Sequence, residues 1–260
     1  MLGKLMKYEW SGTWKLLLPA NLLIVVTSFF ACIMVRQTIF DYDDGAVMLT
    51  ILVTLTYIVS MILVFVGTAI YLIYHFYTTT YGDQGYLLHT LPVDKHQIII
   101  AKALVSAAWI LISSFIMYMS VVFLLNFEGN IYEDFMEALD LIIVTRTDSG
   151  AVSVFATMMT LIALIVGIFV RVLKAAACIS LGQLSSNHKL LVSFAYYFAI
   201  YIIQQLVNTC YIMLLGVVGR KRGTWSLDTS WEFALISGLI YVVVFYLLTW
   251  HVMDKRLNLD

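Results

Sequence analysis

The chain has 260 residues, of which 62% are hydrophobic and only 12% are charged, and its net charge is -1. Soluble domains carry about 25% charged residues. This composition, with a mean hydropathy of +0.93, therefore excludes a soluble enzyme and indicates that much of the surface faces lipid. The near-zero net charge provides no basic field that would attract nucleic acid.

Six stretches are long and apolar enough to cross a bilayer, which requires about 20 predominantly apolar residues in a helix. They predict an all-α, polytopic membrane protein with a single transmembrane domain over residues 1–260. The predicted spans are roughly 16–35, 46–74, 98–125, 151–170 with an extension to 184, 190–217 and 232–250.

The residues before the first span have an amphipathic pattern. Their apolar side chains recur every three or four positions, at Leu2, Leu5, Met6, Trp10, Thr13, Trp14 and Leu17. Lys4, Lys7 and Glu9 fall on the other face. This pattern predicts an interfacial helix that lies in the headgroup region before the chain turns into the membrane. The apolar run that follows is too long for a signal peptide, so we interpret it as a retained span.

The charged residues predict the orientation, because Lys and Arg are enriched on the cytoplasmic side of membrane proteins. With the N-terminus inside, 10 of the 15 basic residues lie on the cytoplasmic side and 5 outside, whereas 11 of the 16 acidic residues lie outside and 5 inside. Six spans then place both termini in the cytoplasm. The basic run Arg220, Lys221 and Arg222 violates the rule; either earlier helices fix the topology or one span is miscounted.

The longest polar connection, residues 126–150, lies outside in this topology. Ile131, Phe135 and Leu139 fall on one helical face, and Glu133, Glu137 and Asp140 lie mainly on the other. The pattern predicts a short surface helix. Its acidic face either attracts cationic amphipathic peptides or is simply solvated.

Few residues in the predicted spans could carry chemistry. Arg171 and Lys174 follow the apolar part of the fourth span, at or beyond the inner boundary where a long side chain reaches the interface. Cys32, Cys178 and Cys210 fit apolar packing. The sequence contains no zinc-protease, serine-hydrolase or phosphate-loop motif. We therefore predict no enzymatic activity, no metal site and no cofactor on this chain.

The fifth span has a polar centre made of Gln204, Gln205, Asn208 and Thr209. Two interpretations remain open: hydrogen bonds between helices, or a polar wall on a substrate route or dimer seam. Nearer the cytoplasm the same span carries an aromatic cluster, which we interpret as packing and interface anchoring: Phe194, Tyr196, Tyr197, Phe198 and Tyr201.

The cytoplasmic connection between the second and third spans is the most informative segment. Gly82 and Gly85 bracket Asp83, which can cap a short helix. Pro92 ends that helix, because the residue before a proline avoids helical backbone angles. Asp94 then begins the third span with Gln97 three residues later, as in a capping box. The pattern predicts an ordered helical element at the inner surface.

Three segments carry a resemblance to a known family: MLGKLMKYEW at residues 1–10, GDQGYLLHTLPVDKHQIIIAK at 82–102, and SLGQLSSNHKLL at 180–191. Together with the span layout, they resemble permease subunits of ABC transporters of the type-2 exporter class, of the six-span type found in Gram-positive bacteria. The resemblance implies a bacterial cytoplasmic membrane protein.

The resemblance further implies that two permease subunits, identical or related, pair with two separate ATPase subunits that bind ATP and Mg. The connection would form a coupling helix that docks on the ATPase. The residues implied at this contact are Tyr81, Gly82, Asp83, Gln84, Gly85, Tyr86, Leu87, Leu91, Pro92 and Val93, with Tyr86, Leu87 and Leu91 as anchors.

The expected function is export of a hydrophobic or amphipathic substrate, such as an antimicrobial peptide, a drug or a lipid. The alternative is a membrane sensor or scaffold without an ATPase, and an intramembrane enzyme comes third. Co-purification of a nucleotide-binding subunit distinguishes the first two.

Overall fold

The computed structural model describes residues 2–40, 44–82, 85, 94–125, 154–185, 188–222 and 230–255. These residues form helices and no strand. In chain order the helices are α1 (Leu2–Phe40), α2 (Asp44–Tyr81), α3 (Lys95–Leu125), α4 (Val154–Gly182), α5 (Lys189–Arg222) and α6 (Ser230–Lys255).

Each of the six helices contains a segment long and apolar enough to cross a membrane. The predicted six-span, all-helical fold is therefore confirmed within the described residues. Most of the large apolar side chains on these segments are exposed. In the most apolar stretch of α5, only 6% of the residues are buried. A bilayer supplies the apolar surroundings that such surfaces require.

Helix α1 differs from the sequence-based expectation. In place of an interfacial helix, a turn and a span, residues 2–40 form one continuous helix that passes through Pro19. The reason is a buried stripe that crosses the expected boundary without a break and includes Glu9, Thr13, Leu17, Asn21 and Ile24. Glu9, which the sequence places on the polar face, is only 5% exposed.

Backbone contacts divide the chain into two units. The first consists of Met1–Phe76 and Leu104–Thr157, and so contains α1 and most of α2 and α3. Ile24, Tyr57 and Met117 lie in its core, and a second cluster contains Leu17 and Trp109. Polar side chains also pair within this unit: the hydroxyls of Tyr57 and Ser120 lie 2.8 Å apart.

The second unit consists of Tyr77–Ala103 and Met158–Asp260. It contains the end of α2, the start of α3, and α4 to α6. Its core is formed by Ile99, Ala103, Leu173, Ala177, Phe245 and Met253. The prediction of a single transmembrane domain over residues 1–260 stays a prediction.

Helix α5 approaches α4 closely at the residue where α4 ends. Gly182 ends α4, and a Cβ atom at this position would overlap the Ser193 hydroxyl and lie 2.8 Å from the Lys189 carbonyl oxygen. His188 has a φ of 53°, the left-handed conformation, immediately before α5 begins. Glycine is therefore required at residue 182 by the close approach of α5.

Candidate functional site

The predicted ATPase-contact segment, residues 81–93, begins where α2 ends. The structure describes Tyr81, Gly82 and Gly85 of this segment. The predicted contact residues Asp83, Gln84, Tyr86, Leu87, Leu91, Pro92 and Val93 lie outside the described residues. The assignment of these residues to an ATPase contact stays a prediction.

The two glycines make a close turn at the end of α2. The Gly85 amide donates a hydrogen bond to the Gly82 carbonyl over 2.8 Å. A Cβ atom on Gly82 would lie 2.7 Å from the Thr78 carbonyl oxygen, and one on Gly85 would overlap the Thr80 carbonyl oxygen. Both obstacles are backbone atoms, which cannot rotate away as a side chain can. The path of the chain out of α2 therefore depends on both glycines.

We expect Gly85→Ala to destabilise the protein by about 1–3 kcal/mol, since the added methyl group overpacks a site walled by backbone. Gly67→Ala is the matched control, because a Cβ atom there meets nothing within 4 Å. Alanine favours a helix over glycine by about 0.8–1.0 kcal/mol, so this change should be neutral or stabilising. Thermal unfolding of the purified protein in mild detergent measures both, and equal midpoints for the two variants would contradict the geometry.

Both flanks of the connection are tied to α4 and α6 within the second unit. On the α2 side, the hydroxyls of Tyr81 and Ser180 lie 2.6 Å apart. On the α3 side, the Lys95 ammonium lies 3.0 Å from the Asp254 carboxylate. A force applied to the connection would therefore reach α4 and α6 through polar contacts as well as through the core.

Two more side chains at the start of α3 strengthen this attachment. His96 Nδ1 and the Tyr246 hydroxyl share a hydrogen bond of 2.6 Å. The His96 ring also stacks on Trp250, with ring centroids 5.0 Å apart. Lys102 lies later in α3. It is buried and donates a hydrogen bond to the Thr79 hydroxyl of α2. The two flanks are thus also bonded to each other.

The start of α3 agrees only in part with the predicted capping box. The helix begins at Lys95, directly after Asp94, and the Gln97 amide donates to the Asp94 carbonyl over 2.9 Å. However, Gln97 Oε1 is buried and hydrogen-bonds to none of the described residues. In a capping box it would accept the Asp94 amide proton. The reciprocal bond is therefore absent, and the prediction of a complete box was wrong.

The polar centre of α5 is split by the structure. Gln204 is partly buried and its Oε1 accepts a hydrogen bond of 3.0 Å from Lys174 Nζ of α4. Gln205, Asn208 and Thr209 are exposed. Of the two interpretations, hydrogen bonding between helices therefore applies to Gln204. The side chains of Gln205, Asn208 and Thr209 lie on the exposed surface of α5.

Lys174, which the sequence places beyond the inner end of the fourth span, is buried within the second unit. Its side chain is only 6% exposed, and its ammonium lies over the rings of Tyr197 and Tyr201, 4.7 and 5.6 Å from their centroids. A charged residue at the centre of a spanning helix costs about 2.5–3.5 kcal/mol on insertion scales. The aromatic faces and Gln204 offset part of that cost, so these tyrosines do more than pack.

A second cluster that sequence reasoning missed lies in the first unit, near the start of α1. Glu9 Oε2 lies 3.0 Å from His75 Nε2 of α2. The Tyr71 hydroxyl donates to the Gly12 carbonyl over 3.2 Å. Trp109 of α3 stacks on Trp10, with centroids 4.7 Å apart, and its Nε1 donates to the Thr13 hydroxyl over 2.8 Å. The cluster attaches the first turns of α1 to α2 and α3.

The sequence contains a signal for the cluster around Lys174 and for the cluster around Glu9, but this signal does not identify the residue that pairs with either charge. A lysine within an apolar helix is costly unless it is paired, and so is a carboxylate among tryptophans.

Among the described residues, no group of three or more histidine, cysteine, aspartate or glutamate side chains could hold a metal ion. The sequence matches no protein-family model, no curated protein and no solved structure.

Proposed function

We propose that this membrane protein is the permease subunit of an ATP-driven exporter of the ABC type-2 class. The observation that carries the proposal is the segment GDQGYLLHTLPV between α2 and α3, since both of its flanks are bonded to other helices of one unit. A connection that served only to join two spans would not need such anchoring. The structural ties favour a part that receives force.

The proposed mechanism assigns ATP hydrolysis to separate subunits. Two ATPase chains, which bind ATP and Mg, would each dock on the connection of one permease through Tyr86, Leu87 and Leu91. Closure of the ATPases would move the connection. The Tyr81–Ser180 and Lys95–Asp254 contacts would then carry that movement into α4 and α6, and the substrate path would change its accessibility.

The complex would contain two permease subunits, either two copies of this chain or this chain and a related one. It would lie in the bacterial cytoplasmic membrane with both termini inside, as the distribution of basic residues favours. The substrate class is a hydrophobic or amphipathic molecule. This chain itself would have no catalytic residues.

Co-purification tests the proposal. A tagged chain, expressed from its own locus and solubilised in a mild detergent, is expected to bring down a subunit with a phosphate-binding loop and ATPase activity. A chain tagged in the same way but lacking residues 82–93 is the control for non-specific association. If the intact chain recovers no nucleotide-binding subunit, the proposal fails and the alternative of a sensor or scaffold replaces it.

A further inference from the structure

Lys174 brings a cation deep into the apolar part of the second unit. The candidate span in α4 is Met158–Gly182, so Lys174 lies eight residues, or about 12 Å, from its end. Gln204, which accepts the Lys174 hydrogen bond, lies 15 residues, or about 22 Å, from the start of the span Lys189–Leu214. Side chains on a helix lean toward its N-terminus. The ammonium is therefore directed toward the middle of the span.

Within the residues that the structure describes, the candidate spans supply no carboxylate for this ammonium. The six candidate spans contain two acidic residues, Glu9 and Asp254, and these already pair with His75 and Lys95. The charge is held by one neutral amide oxygen and two aromatic faces.

The surface next to Lys174 is exposed. Tyr201, whose ring lies against the ammonium, is 50% exposed. Gln205 and Asn208 of the same helix are also exposed. A molecule dissolved in the bilayer would thus meet Tyr201 first, and a rotation of that side chain would give access to the ammonium.

We propose that Lys174, Gln204 and Tyr201 bind the anionic group, a carboxylate or a phosphate, of an amphiphile that enters from the lipid. The ammonium has three N–H donors, and Gln204 accepts one hydrogen bond. An anion would accept a charge-assisted hydrogen bond from another, while its hydrocarbon chain lies against the apolar surface of α5. This ligand class differs from the cationic amphipathic peptides that are one of the two interpretations of the acidic 126–150 segment.

The site goes beyond the proposed function, because binding needs no ATPase. If the chain is a permease, the amphiphile is either its cargo or a lipid that regulates it. The test uses the purified full chain without partners, so loss of the ATPase proposal would leave this result unaffected.

Radiolabelled oleate is the probe, with the chain reconstituted in nanodiscs of phosphatidylcholine. We expect saturable binding that Lys174→Met weakens about tenfold or more, the size expected from losing a hydrogen bond to a charged donor. Lys174→Arg should retain binding. Gln204→Glu should abolish it, because a fixed carboxylate then occupies the position 3.0 Å from Nζ. Lys15→Met is the control and should bind as the wild type does, since Lys15 is exposed on α1, in the first unit.

Two further arms identify the source of the anion. Oleyl alcohol, which has the same chain without a charge, should not displace oleate. If phosphatidylglycerol displaces oleate, the site exists and its ligand is a lipid headgroup. If phosphatidylglycerol does not displace oleate, the site exists and its ligand is a free amphiphile. Equal affinities of the wild type and both Lys174→Met and Gln204→Glu would overturn the proposal, as would displacement by oleyl alcohol at the same concentration.

Discussion

Leu87→Asp is expected to remove the ATPase subunit from the purified complex while leaving the chain inserted in the membrane. Leu87 is a predicted anchor of the connection between α2 and α3. A few buried anchors carry most of the binding free energy in protein interfaces, and truncating one costs 2 kcal/mol or more. An unpaired carboxylate in the same position adds the free energy of its own desolvation. Association should therefore fall by at least about 30-fold.

The measurement is the amount of ATPase recovered per tagged chain, with membrane insertion checked by the amount of chain in the washed membrane fraction. His89→Asp is the matched control, since it adds the same charge two residues away at a position outside the predicted anchors. Full recovery of the ATPase with Leu87→Asp would move the docking site to another cytoplasmic segment. Equal loss with both variants would indicate an effect of charge on the whole connection.

Trp109→Ala is expected to lower the free energy of unfolding by about 3–5 kcal/mol, the usual effect of removing a large buried aromatic side chain. Trp109 is 3% exposed, stacks on Trp10 and donates a hydrogen bond to Thr13. Its loss removes the stacked ring, leaves the Thr13 hydroxyl without this donor, and opens a cavity between α1 and α3. The first turns of α1 would then be held by the Glu9–His75 contact, the Tyr71–Gly12 hydrogen bond and the remaining packing around Leu17.

Two variants separate these effects. Trp109→Phe keeps an aromatic ring and loses the hydrogen bond. It should therefore lower the free energy of unfolding less than Trp109→Ala does, and the difference measures the contribution of ring packing. Trp14→Ala removes a tryptophan that is 44% exposed and should change stability little. Thermal unfolding in the same detergent ranks the three, and a Trp14→Ala midpoint as low as that of Trp109→Ala would contradict the packing described for α1.

The number of spans was predictable because lipid imposes a simple requirement on sequence. Every backbone amide and carbonyl must be bonded within the membrane, so each crossing needs an uninterrupted apolar helix of about 20 residues. The start of α3 after Asp94 also follows local residue preferences. These signals depend only on residues that are neighbours in the sequence, so a single sequence is enough to predict them.

The partners of the buried charged residues were not predictable in the same way. Glu9 and His75 are 66 residues apart, and Lys174 and Gln204 are 30 apart. Their pairing depends on which faces of two helices meet, and hydrophobicity alone does not determine this when every face is apolar. For the same reason the amphipathic pattern of residues 2–17 misplaced Glu9, although Leu2, Leu5, Met6, Thr13 and Leu17 of the predicted apolar face are buried or partly buried. The carboxylate of Glu9 is buried because His75 lies opposite it.

Photo-crosslinking in intact cells tests most directly whether the connection between α2 and α3 contacts an ATPase, as the proposed coupling role requires. Benzoylphenylalanine replaces Leu87 in one strain and Glu137, in the predicted outer segment, in another. We expect position 87 to form a covalent adduct with a nucleotide-binding subunit and position 137 to form none. An ATPase adduct from position 137 would show that the topology is reversed. An ATPase of the complex that never crosslinks to position 87 would contradict the coupling role of this segment.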